Sequence, residues 1–140
     1  MEYSQNLADS ARRHWCAANS LHADNEPGTR PGNRAVAGYL FGLAGELALK
    51  KMMLDSGMRP LDDAQKRDDP FYAHFPLLKT LLLNAAKGRR QGALVRHAKD
   101  AKLFHDWNTN MRYRPTRDIR DQWTNEWRSQ AEALVQAMNL

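Results

Sequence analysis

Arg112-Tyr113-Arg114 sets two guanidinium groups beside one aromatic ring, just ahead of the helix-breaking Pro115. Cations hold phosphates and a flat ring stacks on a base. The triplet is therefore a candidate ligand site for a nucleotide or nucleic acid. A structural alternative stays open, in which Tyr113 packs at the core edge and Arg112 pairs with a carboxylate such as Glu46. Upstream, Arg96, Lys99 and Lys102 recur every three residues. On a helix that spacing makes a slowly turning stripe of positive charge. Lys99 and Lys102 accordingly join the candidate ligand-binding residues. The stretch from Lys87 to Arg120 holds ten basic residues and three acids, +7 within a chain whose net charge is +5. One basic face follows, either for a polyanionic partner or merely solvated.

Other chemistries find little footing. His14, His22, His74, His97 and His105 include no pair at the four-residue spacing that sets two ligands on one helix face, and Cys16 is the single cysteine. No metal site and no cofactor are expected. Phosphate-loop patterns are absent, and Gly38, Gly42 and Gly45 fall inside a helical pattern with no strand before them. Cys16 has no internal disulfide partner, which suits a reducing compartment, and is expected as a small buried hydrophobe. Asp62-Asp63 and Asp68-Asp69 read as helix caps and solvated turns. The longest uncharged apolar run, Ala35 to Gly45, is far short of the roughly 18 residues of a membrane span. The N-terminus has no signal-peptide pattern, so a cytoplasmic protein without membrane contact is expected.

The elements that would position these groups are helical, because apolar residues recur at intervals of three and four almost throughout. Tyr3, Leu7, Ala11, Trp15, Ala18 and His22 predict a first helix over about Ser4 to Leu21, followed by a loop from Asp24 to Asn33 rich in Pro and Gly. A second helix is expected from Asn33 or Arg34 to Ser56, with Gly57 as its C′ residue and an apolar face of Val36, Leu40, Leu43, Ala44, Leu47 and Ala48. Its three glycines allow another helix to approach closely, and Glu46 and Lys50 stand at ion-pair spacing. Met58 to Asp69 reads as a polar connection of weak helical character. A third helix is expected over Leu77 to Lys87, ended by Gly88, and a fourth over Gln91 to Met111. A fifth should run from a Thr116 cap to Met138. Trp15, Leu40, Leu43, Leu47, Leu78, Leu81, Phe104, Trp107, Trp123 and Leu134 are the expected core. A single all-α domain spanning residues 1–140, an antiparallel bundle of about five helices, follows.

Several segments together resemble one family. Tyr39-Leu40-Phe41-Gly42-Leu43-Ala44-Gly45-Glu46-Leu47-Ala48-Leu49-Lys50 is similar to the second helix of HEPN domains (higher eukaryotes and prokaryotes nucleotide-binding). The segment from Ala11 to Ala18 resembles their first long helix. His74-Phe75-Pro76-Leu77-Leu78-Lys79-Thr80-Leu81 resembles their connection into the third helix, and Trp107 to Tyr113 the Trp-to-Arg-Tyr ending of some bacterial members.

The resemblance implies a bundle with two long antiparallel helices. It also implies nucleotide or RNA binding, often as a homodimer, in bacterial toxin–antitoxin or phage-defence settings, sometimes beside a nucleotidyltransferase-type antitoxin. Many such domains are metal-independent RNases whose arginine and histidine, with four to six residues between them, form a composite site across a dimer. A base takes the ribose 2′-hydroxyl proton while a cation steadies the phosphorane. Arg90 with His97 matches that spacing and is the candidate catalytic pair; Arg67 with His74 matches it across Pro70. Other members only bind. Three functions therefore stand open: a nucleic-acid or nucleotide binder, an RNase, and a non-catalytic protein-interaction module.

Overall fold

The computed structural model describes residues 6–23 and 33–138, and over them the protein is all α, with no strand. Five α-helices are α1 (Leu7–Ala23), α2 (Asn33–Asp55), α3 (Leu77–Ala85), α4 (Gly92–Lys99) and α5 (Asp121–Ala137). Short 3₁₀ turns at Asp63–Asp68, Pro70–Tyr72, Arg89–Gln91, Thr109–Tyr113 and Thr116–Asp118 fill the connections. No helix among the described residues is long and apolar enough to cross a membrane. The expected Asp24–Asn33 loop and the first residues of the expected α1 lie outside the described residues.

Helix α2 is the axis of the bundle. Near the end of α1, the His22 ring meets Phe41 of α2 edge-on, and the His22 Nε2 lies 2.9 Å from Asn125 Oδ1 of α5. Asn19, a turn earlier, accepts from Arg128 Nε of α5 at 2.8 Å, so α1 runs antiparallel to α5. Gly38 faces Thr124 and Trp127 whereas Gly45 faces Leu134, so α2 and α5 run the same way. The return path is made by α3, α4 and the turns between. Helix ends follow their residues: Asn6 Oδ1 accepts the Asp9 N–H at 3.0 Å to cap α1. Gly57, at φ +99°, closes α2, with the Gly57 and Met58 N–H groups returning to Leu54 and Met53 carbonyls.

Close approach explains the glycines of α2. A Cβ on Gly42 would lie 2.0 Å from Trp107, and one on Gly45 would lie 2.5 Å from Phe104. Two of these close partners are therefore rings carried by a loop rather than another helix. That loop also shortens the expected fourth helix, which stops at Lys99 instead of Met111. Asp100 Oδ1 accepts the Lys102 N–H at 2.9 Å, and Phe104 (φ +51°) and Asp106 (φ +63°) take left-handed conformations. This turn seats both aromatic rings against α2, and the burial outweighs the local helical preference.

Other expectations shift as well. The fifth helix begins at Asp121; Thr116 instead opens a 3₁₀ turn. The fully buried apolar residues of α2 are Ala37, Phe41, Ala44, Ala48, Leu49 and Met53. Leu40, Leu43 and Leu47 are only half-buried, as are Trp15, Leu81 and Trp123. Leu78, Phe104, Trp107 and Leu134 are core. Cys16 is exposed, on the face of α1 that also carries Arg12, Arg13 and Ser20. Glu46 makes no direct ion pair with Lys50. Its buried carboxylate accepts from the Phe75 N–H at 2.8 Å and meets His74 Nδ1 at 2.8 Å. Asp69, expected in a solvated turn, is fully buried and caps the next turn by accepting from Leu61 N and Phe71 N.

Candidate nucleic-acid interface

The Arg112–Arg114 triplet leaves the core where the loop ends. Asn108 Oδ1 accepts the Asn110 N–H at 2.8 Å and starts the Thr109–Tyr113 turn, and Met111 anchors that turn in the core. Arg114 and Pro115 are extended. This strap and the first turns of α2 enclose a cleft of about 250 Å³, lined by Ala35, Val36, Tyr39, Arg112, Arg114 and Ile119, with Met111 and Thr116. The Arg112 guanidinium lies 5.8 Å from the Tyr39 ring centre and 5.2 Å from that of Tyr113, and its Nε donates to the Thr109 carbonyl at 2.9 Å. Tyr39 is in turn stacked on Trp107 at 5.6 Å and 9°, and Trp107 Nε1 donates to the Gly38 carbonyl at 3.1 Å. A rigid aromatic tier thus sets the angle of the exposed arginine.

Both parts of the structural alternative for this triplet fail. Tyr113 is 78% exposed, and Glu46 is already engaged by His74 and Phe75. Among the described residues, Arg112, Arg114, Arg117 and Arg120 form no ion pair with a carboxylate. Four arginines face one acid, Asp118, over 112–120, a local charge of +3. Lys99 and Lys102 are exposed but do not line this cleft; Lys99 ends α4 and Lys102 lies in the turn beyond it.

Arg90 and His97 do come together, elsewhere. They line a second cleft of about 310 Å³ with Met52, Asp55, Ser56, Leu94 and Met138. Burial, with Arg96 nearby, pushes the His97 pKa below its ordinary value, so the ring is neutral at pH 7. A neutral imidazole and an exposed guanidinium on one rim are suited to general-base and anion-stabilising roles. The Asp55 carboxylate is paired with Lys51 at 2.8 Å and Ser56 Oγ donates to the Met53 carbonyl at 2.8 Å. Tyr39 and Asp55 are sixteen residues apart on α2, so the two clefts are separated by about 24 Å. Within one chain the candidate catalytic pair and the candidate ligand site are two places. Arg67 is exposed in the Asp63–Asp68 turn, and His74 is turned to Glu46.

Two arrangements escaped the sequence reading. Arg120 lies over the Trp123 ring at 5.2 Å, extending the cation–aromatic pattern past the cleft. A cation and an aromatic three residues apart at the start of the last helix were visible, but only as core periodicity. His105 is held between Asp106 Oδ2, 2.8 Å from its Nδ1, and Glu126 Oε2 at its Nε2. Those two hydrogen bonds, Glu126 first, raise its pKa. Among the described residues no group of three His, Cys, Asp or Glu side chains is placed to hold a metal ion.

Fold and cleft together define an all-α bundle with a basic, aromatic-lined cleft at one end of its central helix. No family model, curated protein or solved structure matches the chain.

Proposed function

We propose that this chain is a HEPN-like helical domain that binds nucleic acid or nucleotide in the cleft of Tyr39, Arg112 and Arg114, beside the exposed ring of Tyr113. One observation carries the reading: the Arg112 guanidinium, with no carboxylate partner among the described residues, lies against two aromatic rings, one half-buried on the core and one projecting into solvent. Phosphate binds the cation, and a base stacks on the ring. The fold class fits the resemblance in Tyr39 to Lys50. The wider expectations of a nucleotidyltransferase-type antitoxin as partner and a toxin–antitoxin or phage-defence role rest on that resemblance. The homodimer rests on it and on the apolar content of the second helix, and the cytoplasmic location on the single cysteine and the N-terminal sequence.

The test is a fluorescence-anisotropy titration of labelled single-stranded RNA at low salt. Replacing Arg112 and Arg114 together by glutamine should weaken binding for all sequences alike and flatten its salt dependence by about 0.7 log units per lost phosphate contact. Absence of binding at low salt, where electrostatic attraction is strongest, overturns the reading and leaves a protein-interaction module.

A second reading, a metal-independent RNase, is favoured by the shared cleft of Arg90 and His97 and the neutral imidazole in it. His97→Ala should then abolish cleavage while leaving RNA binding at the distant cleft in place.

A further inference from the structure

Resting on the binding reading of the Arg112–Arg114 cleft, we infer that the segment from Arg112 to Trp123 is a track for single-stranded nucleic acid, seating one unpaired base at Tyr39/Tyr113 and a second on Trp123.

The positive groups follow one another along a single strap of backbone. Arg112 and Arg114 line the cleft together with Thr116 and Ile119. Arg117 and Arg120 follow on the same strap, both exposed. The strap backbone is extended at Arg114 and Pro115, turns through Thr116–Asp118, and is extended again at Ile119 and Arg120. Its shape is fixed by Pro115 and by the Asp118 and Ile119 N–H groups, which donate to the Pro115 and Thr116 carbonyls. Four guanidiniums with no carboxylate partner among the described residues, on a preset backbone, present repeated phosphate sites.

An aromatic stands at each end of that strap. At the first end Arg112 touches both Tyr39 and Tyr113. At the second, Arg120 lies over Trp123, whose half-buried ring is braced by Trp127 at 6.0 Å. The pattern of cation and ring is thus repeated, which one nucleotide cannot use. A cleft of about 250 Å³ admits one flat ring rather than a base pair, and the projecting Tyr113 meets a base face only where that base is unstacked. Duplexes hide their base faces; single strands offer them.

The experiment compares three probes on the full chain: a labelled ten-nucleotide oligouridylate, the corresponding RNA duplex, and adenosine 5′-monophosphate. The decamer should bind at least roughly tenfold more tightly than either other probe, with a salt slope near −3 for about four phosphate contacts. Trp123→Ala and Arg120→Gln should each weaken the decamer roughly fivefold or more, and Trp123→Phe should restore most of the loss. Arg120 is exposed, so R120Q tests the track even where loss of the Trp123 ring impairs folding. Equal affinity for mononucleotide and decamer, equal affinity for duplex, or no effect of R120Q and W123A on a folded protein would each overturn the track while sparing the cleft. Failure of both the decamer and the mononucleotide to bind at low salt would remove the cleft reading and the track with it.

Discussion

Phe41 and Leu43 stand two residues apart on α2, yet Phe41 is fully buried and Leu43 is not. Apolar residues run all round α2, so periodicity alone does not decide which phase faces inward. Phe41→Ala should therefore cost about 3–5 kcal/mol, and Leu43→Ala clearly less, by urea denaturation. The reverse order would restore the leucine-facing phase. Gly42→Ala should destabilise by about 1–3 kcal/mol or more, since the added methyl meets the Trp107 ring. His105 makes a different kind of contribution. Both its ring nitrogens face carboxylates, Asp106 on its own loop and Glu126 on α5, an arrangement that favours the doubly donating, protonated ring. Its folded pKa is raised, so its stabilisation is complete below the unfolded value and is lost as pH rises through the folded one. Burial lowers His22 and His97, whose contributions are lost in the opposite direction, as pH falls. As pH rises above the ordinary histidine value of about 6.5, the protein should lose stability that a His105→Gln variant does not lose. Identical profiles would show that the carboxylate pincer contributes nothing.

At the scale of elements, stops with a local chemical cause were legible and stops with a distant cause were not. Gly57 ends α2 and Asn33 begins it, both readable from residue type. α4 ends at Lys99 although apolar residues recur at helical intervals through Trp107 and Met111. The reason lies on α2, where Gly42 and Gly45 leave room for two rings that a continuous helix would not deliver together. The same break splits the basic stripe, leaving Lys99 and Lys102 away from the aromatic cleft. Lys99→Gln with Lys102→Gln should accordingly change RNA affinity much less than Arg112→Gln with Arg114→Gln, by anisotropy at about 0.15 M salt. Equal losses would mean that the RNA path runs along α4. The residues of the candidate site were thus partly legible. Arg112, Tyr113 and Arg114 announce themselves by adjacency, whereas Tyr39 joins them only through the fold.

For the molecule as a whole, composition and period were enough for an all-α bundle, but net charge along the chain did not translate into one face. The basic stretch from Lys87 to Arg120 is divided between the two ends of α2, with Arg90 by the cleft of His97 and Arg112 by the cleft of Tyr39, about 24 Å away. That distance decides how the two ends communicate. Charges screen each other over about 8 Å at 0.15 M salt but over about 30 Å at 0.01 M. A ligand confined to the Tyr39 cleft should feel Arg90 only at low salt. Arg90→Glu should therefore weaken RNA binding at about 0.01 M salt and leave it nearly unchanged at about 0.15 M, whereas Arg112→Glu should weaken it at both. Anisotropy titrations of both variants at the two salts check this. If Arg90→Glu were as damaging as Arg112→Glu at 0.15 M, the RNA would be touching both ends. A strand spanning one chain, or a second copy setting its own Arg90 and His97 beside this cleft, would produce that result. Light scattering of the RNA-bound species would separate them, and the second outcome would join the binding and RNase readings in one composite site.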